Sequence, residues 1–218
     1  MNIDDLEKVL NTLQKHLSGF NKTVISSVIE KTNDAYWILI SCLLSLRTKD
    51  TVTLDATNRL YTLAKTPEEI IQLPIKLIED TIYPVGFYRK KSLIVKEVTW
   101  LIITKYQGKV PDNIDALLSI PGVGRKTANI VLSRAFKIPA IAVDTHVHRI
   151  TNRLGLVKTK NPDKTEVELM KVVPKKYWLY INDLLVTFGQ NICQPLSPKC
   201  SNCPISQYCL RVGVTHLR

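Results

Sequence analysis

The sequence predicts an all-α protein, and three observations carry that prediction. Apolar residues recur at three- and four-residue steps along most of the 218-residue chain, the period of a helix with one buried face. Capping and stop signals bracket those runs. No stretch alternates apolar and polar residues as a half-buried strand would.

The first run sets Ile3, Leu6, Val9, Leu10, Leu13 and Leu17 on one helical face. In "TNDAYWILISCLLSL", Asn33 or Asp34 can cap a long apolar helix. Its apolar core, "WILISCLLSL", is far shorter than the roughly 20 residues that span a bilayer, so it reads as a buried helix. "TVTLDATNRLYTLAK" repeats the pattern through Leu54, Leu60, Tyr61 and Ala64. In "TPEEIIQL", Thr66 caps, Pro67 suits the first turn and Glu69 completes a capping box. "RKKSLIVKEVTWLIITKYQG" is amphipathic, with Gly108 suited to end it. "PDNIDALLSI" starts a short helix behind Asp112 or Asn113 and leads into "SIPGVGRKTANIVLSRAF". Later helices are expected in "DTHVHRITNRL", "NPDKTEVELMKVV" and "KYWLYINDLLVTFGQNIC". "IYPVGFYRKKSLIVKEV" loosely echoes the "SIPGVGRKTANIVLSRA" hairpin. It is either a second, degenerate hairpin or a chance likeness between two helix–turn–helix connections.

With 45% hydrophobic and 22% charged residues, the chain can bury one large core or two small ones. Thirty Lys and Arg against nineteen Asp and Glu leave a formal charge of +11. Such an excess favours a polyanionic partner, because neutralised phosphates release counterions. The N-terminus is acidic and amphipathic, unlike a secretory leader, so the expected setting is cytoplasmic and nucleoid-associated, with no membrane partner. Five cysteines in that compartment do not suggest a disulfide scaffold.

Two stretches carry chemistry. In "IPGVGRKTA" the Pro-Gly-Val-Gly run joins two helices, and Gly122 and Gly124 permit a turn with outward backbone amides. Those amides sit at a helix N-terminus, where the dipole also favours an anion. A DNA phosphate bound there positions a duplex without reading its sequence. Lys126 follows directly, as either one more surface charge or a nucleophile. In "CQPLSPKCSNCPISQYC", Cys193, Cys200, Cys203 and Cys209 form a C-x6-C-x2-C-x5-C array. Four thiolates so close need a metal centre to relieve their repulsion. The spacing is not a paired zinc-ribbon motif, although zinc is not excluded, and it suits an iron–sulfur cube. Cys42 stands apart in an apolar helix as a core residue.

Together with "AVDTHVHRI" and "TEVELMKVVPKKYWLYINDLLVTFGQNIC", these stretches make nearly the whole chain resemble the endonuclease III family. These are helix-hairpin-helix DNA glycosylases and AP lyases with a C-terminal [4Fe–4S] cluster. The resemblance implies two helical domains with DNA in the cleft between them. Residues 28–138 would form a six-helix barrel holding the hairpin, and residues 1–27 and 139–218 the cluster domain. It assigns Lys126 as nucleophile and Asp144 as catalytic carboxylate, with Cys193, Cys200, Cys203 and Cys209 as cluster ligands. Gly122, Val123, Gly124, Arg125 and Thr127 become candidate DNA contacts in the hairpin, joined by His146, Arg149 and Lys199 elsewhere. A [4Fe–4S]2+ core on four thiolates carries about −2, so the chain stays strongly basic. Arg47, in "LLSLRTKD", stands where bacterial members carry a glutamine that fills the gap left by an extruded base.

The implied reaction removes oxidised pyrimidines from double-stranded DNA and cleaves the strand 3′ to the abasic site, with the chain acting as a monomer. The base must be extruded first, and Lys126 must then attack C1′ as a neutral amine. A free lysine is almost wholly charged at pH 7; the helix N-terminus, Arg125 and desolvation on DNA closure favour the neutral form. Asp144 also reads as the N-cap of the next helix, so both roles need one oxygen left free. The competing readings are a mismatch-specific thymine or adenine glycosylase of the same fold, and a non-catalytic iron–sulfur DNA-binding protein. Adenine-removing relatives lack a lysine at position 126 and use a glutamate that "SCLLSLRTKD" does not contain.

Overall fold

A computed structural model describes residues 3–20 and 23–218. Among them the regular structure is helical throughout, with no strand. The chain divides into two compact units, one of Val24–Ile138 and one joining the N-terminal segment through Thr23 to Pro139–Arg218. The boundary therefore lies ahead of the helix at Val24–Thr32, where the sequence reading placed it at 28. No helix of the described residues is long and apolar enough to cross a membrane.

Helix α1 (Ile3–His16) belongs to the discontinuous unit. Leu6, Val9, Leu10, Leu13 and Leu17 are all buried; the side chain of Ile3 lies outside the described set.

The Val24–Ile138 unit holds eight helices among its described residues. In order they are α2 (Val24–Thr32), α3 (Ala35–Ser45), α4 (Asp50–Leu63), α5 (Pro67–Gln72), α6 (Ile75–Ile82), α7 (Tyr88–Tyr106), α8 (Ile114–Leu118) and α9 (Arg125–Ala135). A count of six holds only if α5 and α8, six and five residues long, are set aside. The short α2 and α6 escape the sequence patterns. Helix α3 is the core: every residue from Tyr36 to Leu44 is buried, and α2, α4, α7 and α9 pack around it. Asp34 caps it by accepting the Tyr36 amide at 2.7 Å. The Thr66–Glu69 capping box of α5 is complete. Helix α7 ends one residue before expectation, with Gln107 already left-handed at φ 54° and Gly108 following at φ 79°.

The echo of the hairpin is a true helix–turn–helix. Helix α6 leads through a cis Tyr83–Pro84 bond and Gly86 into α7. Its glycine is closed: a Cβ on Gly86 would lie 2.6 Å from the Arg47 carbonyl oxygen. Lys91, on the first turn of α7, is 6% exposed, and burial lowers its pKa to about 8. An unfolded lysine titrates near 10.4. The fold thus binds fewer protons than the unfolded chain between about pH 8 and 10, and stability rises with pH across that window. Chemical denaturation of Lys91→Met is expected to lose this rise relative to wild type, a difference on the order of 3 kcal/mol at most.

The other unit packs α1 and α10 (Thr145–Arg153) on α12 (Ile181–Asn191), with α11 (Pro162–Val172) against α10. The expected long helix from Lys176 is broken. A single 3-10 turn at Lys175–Tyr177 precedes α12, because Trp178 turns back to donate its indole N–H to the Val173 carbonyl at 2.9 Å. Residues 193–218 form an irregular loop with two further 3-10 turns.

A candidate lyase hairpin, a capping carboxylate and a cysteine loop

The hairpin is α8, a turn, and α9. Asn113 caps α8 by accepting the Ala116 amide at 2.9 Å. The two glycines of the turn serve different ends. Gly122 needs its freedom, at φ 78°, and a Cβ there would press on Leu43 at 3.3 Å. Gly124 is ordinary extended backbone at φ −97° and caps α9 without a side chain. Nothing lies within 4 Å of where its Cβ would be. The turn is thus bare on its solvent side, and α9 begins with no side chain folded over its amides. The first helical bond runs from Ala128 N–H to the Gly124 carbonyl at 2.9 Å, so the amides before Ala128 meet no carbonyl of their own helix. Gly122→Ala is therefore expected to cost about 1 kcal/mol or more in denaturant melts. Gly124→Ala should leave stability unchanged while weakening duplex affinity in a binding titration.

Lys126, half-buried, occupies the second position of α9, and Arg125 before it is exposed. Thr127 is 4% exposed, on the packed face of α9, which leaves its backbone amide rather than its side chain as the group a phosphate could meet. Val123 is likewise buried, with its amide already donated to the Ile120 carbonyl at 3.1 Å. Arg47 is exposed on the turn after α3 at φ 53°, with its guanidinium 6.0 Å from the ring centre of Phe87.

In the other unit, Asp144 caps α10. One oxygen, Oδ1, accepts both the His146 and the Val147 amides at 2.9 Å. The cap thus leaves Oδ2 available, which resolves the conflict between capping and chemistry. The segment entering Asp144 is held by Asn182, which donates to the Ala142 carbonyl at 2.8 Å.

His146 and Arg149, expected to support either the site or the DNA backbone, have protein partners here. Arg149 donates through Nε and Nη2 to the Cys193 carbonyl at 3.2 and 2.8 Å. Nη2 also reaches the Gly189 carbonyl at 3.2 Å and His146 Nδ1 at 3.1 Å. Burial lowers its pKa. One turn on, Arg153 donates to the Gln194 and Pro195 carbonyls at 2.7 and 2.5 Å. Two arginines of one helix thereby clamp the start of the cysteine loop to the helix that Asp144 caps. Gly189 makes room for them: a Cβ there would lie 2.4 Å from His146 Nδ1. Arg149→Ala is expected to destabilise the unit by about 2 to 3 kcal/mol, because buried carbonyls lose charged donors. A backbone phosphate contact would instead lower the salt slope of DNA binding by about one. His148 bonds Thr165 on α11 at 2.6 Å, which gives it a packing role.

Cys193, Cys200, Cys203 and Cys209 are free thiols lining one cavity, together with Ile150, Leu154, Phe188 and Ile205. Burial pushes the Cys203 thiol up to about 11 and Cys209 upward, with the neighbouring cysteines adding to both. Deprotonating all four requires compensating positive charge. Among the described residues no three ligating side chains gather at a point that would hold a single ion. Arg153, Lys199 and Arg211 also line the cavity, and the donor set is the soft thiolate kind that iron–sulfur cores take. Lys199 is exposed on the same loop.

Comparison with known proteins agrees with this geometry. Residues 40–175, more than half of the chain, match the model of the HhH-GPD superfamily base excision DNA repair proteins. The chain is 46% identical to the endonuclease III of Thermotoga maritima, over 82% of this chain and 84% of that protein. A solved non-covalent endonuclease III–DNA complex superposes with a TM-score of 0.84 at 33% identity, covering 96% of this chain and 95% of that one. A trapped endonuclease III–DNA covalent intermediate gives 0.82 at 33% identity, covering 96% of each chain. The chain belongs to the endonuclease III family, within the HhH-GPD superfamily of base excision DNA repair enzymes.

Proposed function

We propose that the chain is a bifunctional DNA N-glycosylase and AP lyase that removes oxidised pyrimidines from duplex DNA, acting as a monomer. The observation that carries the reading is the hairpin: Lys126 stands on the first turn of α9, two residues beyond a glycine turn bare on its solvent side. The bare turn receives a phosphate of the damaged strand, with Arg125 adding charge; Lys199 adds a separate charge on the cysteine loop. Arg47 enters the space vacated by the extruded base.

Neutral Lys126 Nζ attacks C1′ of the extruded nucleotide. The N-glycosidic bond breaks, the base leaves with its electron pair, and the amine proton is lost. The sugar opens to a Schiff base with Lys126. Loss of a C2′ proton expels the 3′ phosphate by β-elimination, and water hydrolyses the imine to return the lysine. Asp144 Oδ2 stabilises positive charge on the sugar as the base departs, an electrostatic role of the kind that fixed groups perform best. Cys193, Cys200, Cys203 and Cys209 would hold a [4Fe–4S] cluster, whose contribution would be to offset about half of the thiolate charge and tie the loop together.

The test uses wild-type protein carrying about four irons and a thymine-glycol duplex. Strand cleavage and a borohydride-trapped covalent complex are expected. No trapped complex with either the thymine-glycol or an abasic duplex would overturn the lyase reading.

A further inference from the structure

We propose that Lys91 is a positioning residue for base extrusion: it holds the turn at 44–48 in the form that presents Arg47 to DNA. The proposal rests on the role given to Arg47 above.

Helix α3 ends at Ser45, and its last carbonyls have no helical partner. Lys91 reaches them from α7. Its ammonium donates to the Leu44 and Leu46 carbonyls at 2.7 and 2.6 Å and to Thr48 Oγ1 at 3.1 Å. Three protons meet three acceptors, all within one surface turn. A cation at a helix C-terminus also meets the negative end of the dipole.

The same turn is gripped from the second hairpin. Gly86 donates its amide to Thr48 Oγ1 at 3.1 Å, and it approaches the Arg47 carbonyl more closely than any side chain would permit. The grip holds Arg47 in left-handed backbone at φ 53°, a region that non-glycine residues rarely occupy. The result is an exposed group of Leu46, Arg47 and Phe87, the last two in cation–π contact. Aliphatic, cationic and aromatic surfaces side by side suit stacking on an unpaired base of any sequence.

The charge serves the turn itself: it supplies donors to the open C-terminal end of α3. Among the described residues no carboxylate pairs with Lys91, and burial alone opposes its charged form. An apolar side chain would avoid that cost but would leave the Leu44 and Leu46 carbonyls without a donor. What the lysine adds, and an apolar residue cannot, is a fixed shape for the turn.

The experiment is a double-mutant cycle. Single-turnover base removal from a thymine-glycol duplex is measured for wild type, Lys91→Met, Arg47→Ala and the double variant. Cleavage of a single-stranded abasic oligonucleotide, which has no partner strand to part from, is measured alongside. Each single variant should slow duplex base removal by about 10- to 100-fold. The double variant should be no slower than the slower single, and Lys91→Met should cleave the single-stranded abasic site within about twofold of wild type. Rates that multiply in the double variant would overturn the proposal, as would single-strand cleavage that falls in step with the duplex reaction. Thr48→Val, which removes one acceptor, should give the same pattern more weakly and serves if Lys91→Met does not fold. If Arg47→Ala slows the duplex reaction and neither Lys91→Met nor Thr48→Val does, Lys91 loses its role while that of Arg47 stands. If Arg47→Ala is silent, the reading of Arg47 fails and the proposal with it.

Discussion

Lys126→Ala is expected to abolish the borohydride-trapped complex and to slow both base removal and strand cleavage by on the order of 10^4-fold, the loss typical when a nucleophile is deleted. The variant should still bind. Lys126 is one of thirty Lys and Arg residues, and its half-buried ammonium can account for one phosphate contact. Binding titrations across salt concentrations should therefore lose about one unit of slope at most. That separation decides between the two readings of the residue. A charge-only lysine predicts the small change in slope with normal turnover at saturating enzyme. A nucleophile predicts near-normal binding with no turnover and no adduct. On the proposed reading the turn at Gly124, which carries no side-chain cap, receives the phosphate without the lysine. An adduct that persists in Lys126→Ala would move the Schiff base to another amine.

Much of the fold was legible because it rests on local rules. Asp34, Thr66, Asn113, Asp144 and Asn161 all cap helices, and each is a short polar side chain placed just before an apolar period. The helices α2 and α6 were missed although both are amphipathic; α6 starts behind Pro74 with no side-chain cap bond to mark it. The break before α12 arises from Trp178 bonding backwards to Val173, a contact no propensity encodes.

The site divides the same way. Residue types and spacing singled out Lys126 and the four cysteines, and the family resemblance added Asp144, but neither told which polar groups are consumed by the fold. Arg149 entered through the resemblance, as support for the site or the DNA backbone; its acceptors, the carbonyls of Gly189 and Cys193, are forty or more positions away in sequence. Gly189 inside a helix was itself a signal of close approach. The burial of Thr127 was not legible, since the buried run it heads, Thr127 to Ser133, is unbroken and follows no helical period. Lys91 was also within reach. The spacing of Val95, Val98 and Ile102 sets it on the buried face of α7, and a lysine there needs acceptors. Which carbonyls it meets depends on how α3 ends, and that is tertiary information.

Asp144 carries the second large effect, and asparagine is the substitution that tests it. Oδ1 alone makes the cap, and an asparagine carbonyl accepts amides as well as aspartate does. Asp144→Asn should therefore keep α10 intact, losing only the few tenths of a kcal/mol that a negative charge adds at a helix N-terminus. Its single-turnover rate of base removal should nevertheless fall by about 10^2- to 10^3-fold, the usual loss when one fixed electrostatic stabiliser is removed. Asp144→Ala should lose the rate and also about 1 kcal/mol of stability with the cap, and denaturant melts of the two variants beside their rates separate the contributions. If asparagine retains wild-type rate while alanine does not, Asp144 acts only as a cap. The free Oδ2 would then have no catalytic part, and the positive charge on the sugar must be met by another group.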